Sequence, residues 1–212
     1  MASTDRAALL ALFRSTRGSG WKNNKNWNTD APLSEWYGVY VNGEGLVVKL
    51  RLNDNNLQGP IPRELGTLAT LWLLNLRKNG LTGSIPKELG RLVSLEHLWL
   101  GDNNLTGMIP TGLGKLKTMR ILRLEENGLT GSIPGEMGSL IKLEHLDLSG
   151  NKLTGSIPEE LGGLVKLDEL RLSDNELTGA IPKGLGRLVT LRVLYLHGNG
   201  LTGSIPEELG GW

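Results

Sequence analysis

Asparagine recurs at a fixed interval of 24 residues, and this period constrains the fold more than any other feature of the chain. The asparagines concerned are Asn55, Asn79, Asn103, Asn127, Asn151, Asn175 and Asn199. Around them the sequence follows the frame L-x-x-L-x-L-x-x-N-x-L-T-G-x-I-P. A period of this length is typical of a solenoid, in which each repeat buries its apolar face against its neighbours. We therefore predict seven stacked repeats over residues 47–212.

The residue types within one repeat predict its local structure. The leucines of L-x-L alternate with variable residues, which is the period of a β-strand with one face in the core. The asparagine follows where the chain leaves the strand, and its amide can bond backbone groups of the bend and of the next repeat. The glycine four residues later indicates a positive-φ backbone. The Ile-Pro pair supplies a core residue and then begins a short helical or 3-10 segment.

This repeated frame resembles the plant-specific class of leucine-rich repeat, known from receptor-like kinases and polygalacturonase inhibitors. The resemblance covers residues 47–212 and recurs seven times. It implies an α/β repeat fold: a right-handed leucine-rich-repeat solenoid with a parallel β-sheet on its concave face and an N-terminal cap. It also implies that L-T-G-x-I-P forms a second, shorter β-strand and that the solenoid twists.

Residues 1–46 depart from the frame and are predicted to form that cap, because the first repeat would otherwise expose its core. Ser3 or Thr4 can cap the start of a helix with an apolar stripe, and Gly18 can end it. A loop-rich stretch carries three tryptophans, and a capping strand is expected over residues 38–41. The apolar residues concerned are Leu9, Leu12, Phe13, Trp21, Trp27 and Trp36.

The cap is similar to the N-terminal cap of plant leucine-rich-repeat receptors, where C-x-W-x-G-V-x-C recurs. Ser34 and Val41 stand here where that family has its cysteine pair. The runs TDRAALLALF and NWNTDAPLSEWYGV resemble the cysteine-free caps of brown-algal repeat proteins, including the repeat domains of ROCO-type GTPases. No GTPase domain is present in these 212 residues.

The amino-acid composition limits the cellular compartments and the classes of binding partner to be expected for this protein. The chain has no cysteine, which excludes disulfides and thiolate chemistry and favours a cytoplasmic protein, with an extracellular one as the alternative. A net charge of +1 gives no case for nucleic acid. No apolar run reaches the roughly 18 residues that a membrane span needs, and the first residues do not read as a secretion signal.

The last residue, Trp212, occupies the position that Leu188 holds in the preceding repeat. We expect the last core layer to be open, sealed by Trp212 or continued in a longer protein, with a fragment or an end-to-end contact favoured. Self-association through this uncapped C-terminus is therefore a possible partner interaction.

The variable positions around the strand leucines should line the concave face and carry the binding site. Aromatic residues and arginines there are the types that anchor interfaces. Arg123 and Arg171 flank Asp147, so the three are predicted to form a ladder of opposite charges, or surface ion pairs of little consequence. The candidate site residues are Trp72, His97, Trp99, Arg123, His145, Asp147, Arg171 and Tyr195.

These residues predict a protein- or peptide-binding recognition module within a larger signalling or immune-type receptor. The alternatives are recognition of a carbohydrate or cell-wall ligand, and an intracellular scaffold or regulatory arm of a GTPase. No phosphate loop, H-E-x-x-H or catalytic triad is recognisable, so an enzyme is not expected. No cofactor and no metal are expected either, because His97 and His145 lie two repeats, or roughly 10 Å, apart.

Overall fold

The computed structural model describes residues 2–209, which form one helix, fifteen short strands and a series of 3-10 turns. The helix α1 spans Ala2–Ser15. The strands are β1 (Val39–Val41), β2 (Val47–Arg51), β3 (Gln58–Pro60), β4 (Leu73–Asn75), β5 (Gly80–Gly83), β6 (His97–Trp99), β7 (Asn104–Met108), β8 (Ile121–Arg123), β9 (Gly128–Gly131), β10 (His145–Asp147), β11 (Lys152–Gly155), β12 (Glu169–Arg171), β13 (Glu176–Ala180), β14 (Val193–Tyr195) and β15 (Gly200–Thr202). The 3-10 turns are Gly18–Gly20, Leu33–Glu35, Arg63–Thr67, Lys87–Arg91, Thr111–Lys115, Gly135–Ser139, Glu159–Gly163, Lys183–Arg187 and Glu207–Leu209.

The L-x-L segments build the first sheet, whose order is β1-β2-β4-β6-β8-β10-β12-β14. All its pairings are parallel except that of β1 with β2. The register joins residues 24 apart, so that Leu98 pairs with Leu122 and Leu122 with Leu146. The predicted solenoid with its parallel sheet is confirmed. We call the side of this sheet that faces away from the leucine core the concave face.

The L-T-G-x-I-P segments build a second sheet of seven parallel strands, in the order β15-β13-β11-β9-β7-β5-β3. This confirms the shorter strand that the sequence resemblance implies. The glycine of the frame takes the positive φ expected of it, as Gly107 does at +76°. Between the two sheets the strand leucines and most isoleucines of Ile-Pro form a continuous core, in which Leu98, Leu122 and Leu146 are fully buried. Ile205 of the last repeat is the exception at 73% exposed, so the prediction that the isoleucine of every Ile-Pro pair is a core residue is wrong there.

The asparagines form a ladder of side-chain hydrogen bonds along the solenoid. Asn103 Nδ2 donates to the carbonyl oxygens of Leu76, Leu100 and Gly101 at 3.1, 2.9 and 3.2 Å. Its Oδ1 accepts from Leu81 N at 3.1 Å. Both Leu76 and Leu81 belong to the preceding repeat. The predicted structural role of the asparagines is confirmed, but the prediction that each one serves the next repeat is wrong, because its bonds outside its own repeat go to the repeat before it.

The 3-10 turns stack with their backbones in direct contact, a feature that the frame did not predict. A Cβ atom added at Gly138 would lie 2.0 Å from the carbonyl oxygen of Glu160 in the next repeat. The equivalent Gly66 and Gly114 would each place a Cβ 2.4 Å from such an oxygen. Side chains at these positions would force neighbouring repeats apart, so glycine there permits the close stacking of successive repeats.

The cap covers the first repeat, as predicted, but its helix begins and ends elsewhere. Because α1 already starts at Ala2, Ser3 and Thr4 lie inside it, and the prediction that one of them caps it is wrong. The helix ends at Ser15, and Arg17 rather than Gly18 takes the left-handed conformation, with a φ of 53°. Gly18 is instead buried against the ring of Phe13, so closely that an added Cβ would overlap the ring.

Aromatic rings form the interior of the cap. Phe13, Trp21, Trp27 and Trp36 follow one another, with successive ring centroids 5.4, 4.7 and 5.0 Å apart. The predicted capping strand is present as β1, which pairs with β2. None of the helices within residues 2–209 is both long and apolar enough to cross a membrane. Trp212 lies outside the described residues, so association through the C-terminus stays a prediction.

A candidate ligand-binding site on the concave face

Parallel pairing brings the candidate residues of the concave face together. Trp99 pairs with Arg123, Arg123 with Asp147, Asp147 with Arg171, and Arg171 with Tyr195. Adjacent strands of a sheet lie about 4.8 Å apart, so these side chains form one continuous row. Most side chains of the row are half-buried, whereas Tyr195, which belongs to the last repeat, is 44% exposed.

Aromatic rings lie at the N-terminal end of the row. The His97 ring lies between two tryptophans, with its centroid 5.8 Å from that of Trp72 and 6.2 Å from that of Trp99. Lys49 Nζ lies 4.7 Å from the centre of the Trp72 ring, a cation–π contact. Burial lowers the pKa of His97 from its ordinary value, so this imidazole is neutral near pH 7 and the aromatic group carries no charge of its own.

The predicted charge ladder of Arg123, Asp147 and Arg171 is wrong, although the three residues are neighbours in the register. Asp147 Oδ1 instead accepts hydrogen bonds from the backbone N and the hydroxyl of Ser149, at 3.0 and 2.5 Å. Arg171 pairs with Glu169 on its own strand. In both cases a partner two residues away in the sequence contacts the charged group: Ser149 just beyond the end of β10, and Glu169 on the same face of β12 as Arg171.

His145 and Tyr195 contact the two members of the Glu169–Arg171 ion pair. His145 Nδ1 lies 3.2 Å from Glu169 Oε2, so Glu169 bridges His145 and Arg171. The guanidinium of Arg171 lies 4.9 Å from the centre of the Tyr195 ring. Three or more metal-ligating side chains nowhere cluster in the described part of the chain. The candidate residues of the C-terminal repeats therefore form a connected polar surface.

An ion-pair network that the sequence analysis missed lies beside the row. Arg77 lies 2.7 Å from Asp102 Oδ2 through NH2 and 3.1 Å from Glu125 Oε1 through Nε. The carboxylate of Glu125 fits against Gly101, where an added Cβ would lie 2.3 Å from its Cδ. The three charged residues come from successive repeats just before the asparagine. Arg77 and Glu125 share one column of the repeat with Gly101 between them, and the absence of a side chain at Gly101 is the sequence signal that could have indicated their contact.

The buried carboxyl of Glu125 should make stability depend on pH. Burial raises the pKa of Glu125 from its ordinary value of 4.5, against the opposing effects of its backbone hydrogen bond, Arg77 and Arg123. The contact with Arg77 favours the ionised carboxylate of Glu125. Loss of hydration is the largest influence on its pKa, so the net effect of folding is to favour the protonated carboxyl. The folded state then binds the proton more tightly than the unfolded state, so this carboxyl reduces stability as pH rises above 4.5.

We therefore expect Glu125→Gln to gain stability relative to the original protein between pH 4.5 and neutrality. The measurement is urea unfolding of both proteins at pH 4 and pH 7, with the difference in free energy of unfolding compared between the two. Glu126→Gln, at the exposed neighbouring position, is the control and should show no such change. A relative loss of stability on raising the pH would mean that the ion pair with Arg77 outweighs burial.

A pocket of about 340 Å³ opens on the concave face, beside Trp99 and the ion pairs of Arg77. Its lining combines three basic residues with one acid, two amides and an indole ring. The lining residues are Asn53, Asp54, Asn75, Arg77, Lys78, Trp99 and Arg123. The pocket therefore has the size of a side-chain or small-fragment site within a longer ligand surface.

A larger groove of about 1040 Å³ follows the Ile-Pro segments along the second sheet. Met108 lies in it and is 70% exposed. Its other lining residues belong mainly to the repeated frame, such as Ile85 and Pro86. The groove lining has four charged residues, Arg63, Lys87, Glu88 and Glu136, but no aromatic side chain, so Met108 serves below as a control position.

Comparisons with known proteins agree with this architecture. Models described as Leucine rich repeat match residues 93–153 and 117–177, and further matches cover 47–68, 70–92 and 190–212. Together they cover more than half of the chain. A probable leucine-rich repeat receptor-like protein kinase of Arabidopsis thaliana is 37% identical over 54 residues, which are 25% of this chain and 6% of that protein.

Solved structures show the same fold over nearly the whole chain. The structure of PEPR1–AtPEP1 has a TM-score of 0.90 and 32% identity, over 98% of this chain and 30% of that one. The ectodomain of GASSHO1/SCHENGEN3 from Arabidopsis thaliana, in complex with CASPARIAN STRIP INTEGRITY FACTOR 2, has a TM-score of 0.91 and 39% identity, over 97% and 25%. The receptor kinase HAESA of Arabidopsis, with the peptide hormone IDA and the co-receptor SERK1, has a TM-score of 0.83 and 34% identity, over 98% and 35%. This chain thus spans about a third or less of each of these chains.

Proposed function

This chain belongs to the leucine-rich-repeat family, and from that membership we propose that it is a receptor-type recognition module whose concave face binds a protein or peptide ligand. The observation that carries the proposal is the in-register row of aromatic and arginine side chains on an otherwise invariant frame. Trp, Tyr and Arg are the residues that dominate binding energy at protein interfaces. The proposed role is recognition rather than catalysis.

The similarity to ligand-bound receptors supports this proposal. GASSHO1/SCHENGEN3 and HAESA were each solved with a peptide or protein partner, and both share the fold over at least 97% of this chain. The GASSHO1/SCHENGEN3 structure is that of the ectodomain of a plant membrane receptor kinase. We therefore place this module in an extracellular receptor, and prefer that location to the cytoplasmic one that the absence of cysteine favours. The intracellular scaffold and the carbohydrate receptor remain the alternatives.

The test is capture of partners by the immobilised protein from the source organism's lysate and, separately, from its secreted fraction. Trp99→Ala combined with Tyr195→Ala should lose the partner, because these two rings anchor opposite parts of the row. Met108→Ala, which removes an exposed apolar side chain from the second sheet, is the control and should retain the partner. Circular dichroism of each variant verifies that the fold is intact.

Three outcomes discriminate the alternatives. A partner lost only in the concave variant supports the proposal, and its fraction of origin reports the compartment. A partner retained by the concave variant but lost with Met108→Ala would move the site to the groove on the second sheet. Binding of glycans on an array, with no protein captured, would replace the peptide ligand by a carbohydrate.

A further inference from the structure

One column of the repeat carries most of the large aliphatic side chains that the fold leaves exposed. The column belongs to the five residues G-x-L-x-x, which end each 3-10 turn and lead towards the next strand of the first sheet; we call them the return segment. The side chains are Val93, Ile141, Val165 and Val189, which are 51–86% exposed. Ala69 and Lys117 take the same position in other repeats, so the fold does not require a large apolar residue there.

The return segments of successive repeats are in direct contact. Thr118 Oγ1 donates to the carbonyl oxygen of Val93 at 2.9 Å, and Thr190 Oγ1 donates to that of Val165 at 3.3 Å. The exposed side chains therefore follow one another from repeat to repeat along one side of the solenoid. We call the five positions the aliphatic stripe: Val93, Lys117, Ile141, Val165 and Val189.

Lys117 interrupts the stripe with a charge but not with a gap. Its Nζ donates to the carbonyl oxygens of Gly114 and Ser139, both at 3.0 Å. The ammonium is thus held against the backbone of its own repeat and of the next one. The methylene groups of the side chain then continue the apolar surface between Val93 and Ile141.

The return segments are basic, although the chain as a whole is almost neutral, with 23 basic and 22 acidic residues. Residues 66–70, 90–94, 114–118, 138–142, 162–166 and 186–190 include six basic residues and no acidic one. The six are Arg91, Lys115, Lys117, Lys142, Lys166 and Arg187. Among them only Arg187 forms an ion pair within residues 2–209, at 3.4 Å from Glu159. An apolar stripe bordered by unpaired cations is complementary to a partner that is both apolar and acidic.

Acidic side chains next to the return segments limit the width of that partner. Glu88, Glu136 and Glu160 each lie two residues before a return segment. A broad anionic surface such as a lipid bilayer would meet these carboxylates as well as the cations, whereas a narrow segment can lie along the stripe alone. The stripe also has no aromatic residue of the kind that anchors proteins at membrane interfaces.

A second copy of the chain fits less well than an acidic partner. A two-fold contact between the stripes of two copies would bring the basic return segments of both together. Like charges facing each other across an interface oppose association. The charge of the return segments therefore favours a different protein over self-association on this side.

The spacing of the stripe matches one ridge of an α-helix. Neighbouring strands lie about 4.8 Å apart, so the four intervals from Val93 to Val189 span about 19 Å. Side chains at i and i+4 of a helix are about 5–6 Å apart, and about 13 helical residues span 20 Å. A helix lying along the stripe can place one apolar ridge on it and acidic residues towards the basic residues on either side.

We propose that the aliphatic stripe docks an acidic amphipathic helix of a partner protein. The stripe lies on the return segments, whereas the candidate ligand residues lie on the first sheet or, in the case of Trp72, immediately before it. This second interface is therefore separate from the concave face and does not depend on which ligand that face binds. The chain then has one surface for a ligand and another for a protein that joins it from the side.

The experiment follows the backbone amide signals of the protein by NMR during titration with a designed peptide. The peptide is acetylated and amidated and has about 16 residues, enough to cover the stripe as a helix. It carries leucine along one helical ridge, glutamate on both flanks and alanine elsewhere. Two control peptides are used: a scrambled one with the same composition but no apolar ridge, and one in which lysine replaces every glutamate.

Matched variants test the two kinds of contact. Ile141→Gln combined with Val165→Gln removes apolar groups from the stripe, and Met108→Gln, at an exposed apolar residue of the second sheet, is its control. Lys142→Gln combined with Lys166→Gln removes charge. Lys152→Gln is the control for charge, because Lys152 is an exposed lysine on β11, away from the return segments. All these side chains are exposed, so the variants should fold, which circular dichroism verifies.

The acidic amphipathic peptide should shift the amide signals of the return segments in a saturable manner, and the two control peptides should not. The apolar double variant should weaken binding by about tenfold or more. The lysine double variant should weaken it by about fivefold and reduce its dependence on salt. Met108→Gln, Lys152→Gln and the concave variant Trp99→Ala/Tyr195→Ala should bind the peptide as the original protein does.

Several outcomes would overturn the inference. They are an absence of saturable shifts in the return segments, equal binding of the scrambled peptide, and unchanged binding in both double variants. Tighter binding to vesicles of phosphatidylcholine and phosphatidylserine would assign the stripe to a membrane instead. Shifts of the same signals on concentrating the protein without peptide would assign it to a second copy. None of these results bears on ligand binding by the concave face, which the capture experiment tests separately.

Discussion

Replacing Leu122 by alanine lowers the free energy of unfolding by about 2–5 kcal/mol. Leu122 is fully buried at the centre of the first sheet and pairs with Leu98 on one side and Leu146 on the other. The loss combines the transfer free energy of the removed methyl groups with that of the cavity they leave. Little of the cavity can close, because two sheets and the contacting 3-10 turns fix the spacing between repeats.

Urea unfolding followed by circular dichroism and by tryptophan fluorescence measures this loss. Val189→Ala is the control, since Val189 is 86% exposed and its truncation should change stability by less than about 0.5 kcal/mol. Two probes are needed, because repeats that interact only with their neighbours can unfold in parts. A loss below about 1 kcal/mol for Leu122→Ala would show that the repeats can collapse around the gap.

Two adjacent asparagines should differ sharply in how much stability they lose on substitution by alanine. Asn103→Ala removes three donated bonds and one accepted bond and leaves buried backbone groups of two repeats unpaired. At roughly 0.5–1.5 kcal/mol for each of the four bonds, we expect a loss of about 2–6 kcal/mol. Asn104 is exposed and makes no side-chain hydrogen bond in the described structure, so Asn104→Ala should be nearly neutral.

The pair is compared by the midpoint of thermal unfolding and by the free energy from urea unfolding. Asn103→Asp provides a second variant that retains the side-chain oxygen but replaces the donor NH2 beside three carbonyl oxygens. It should also be destabilised, because the carboxylate cannot donate to them. Equal stabilities of Asn103→Ala and Asn104→Ala would refute the structural role of the asparagine ladder.

The repeated frame predicts most of the fold, because identical residue types meet identical surroundings in every repeat. The spacing of Asn103 and its equivalents was sufficient to predict the ladder, and the glycine at 107 to predict its positive φ. The start of α1 was not predictable in this way, because Ser3 and Thr4 are both acceptable caps and their spacing favours neither. The packing of Gly138 against Glu160 was missed because it depends on the distance between backbones.

The sequence predicted where the candidate site residues lie but not which partners their side chains contact. Columns of variable residues correctly made Arg123, Asp147 and Arg171 neighbours, because the register follows from the period. Side-chain direction does not follow from the period, and closer partners at Ser149 and Glu169 took the charges of Asp147 and Arg171. Whether the candidate residues bind the ligand stays a prediction until the concave variants are tested.

The direction of the asparagine ladder has a consequence for how such a chain can change its length. Each asparagine satisfies backbone groups of the repeat before it, and every junction between repeats therefore follows the same rule. Insertion or loss of one 24-residue unit leaves both new neighbours with the partners they require. The array is thus built for exchange of whole units, and the concave pattern of one unit can be moved, duplicated or discarded while the scaffold stays continuous.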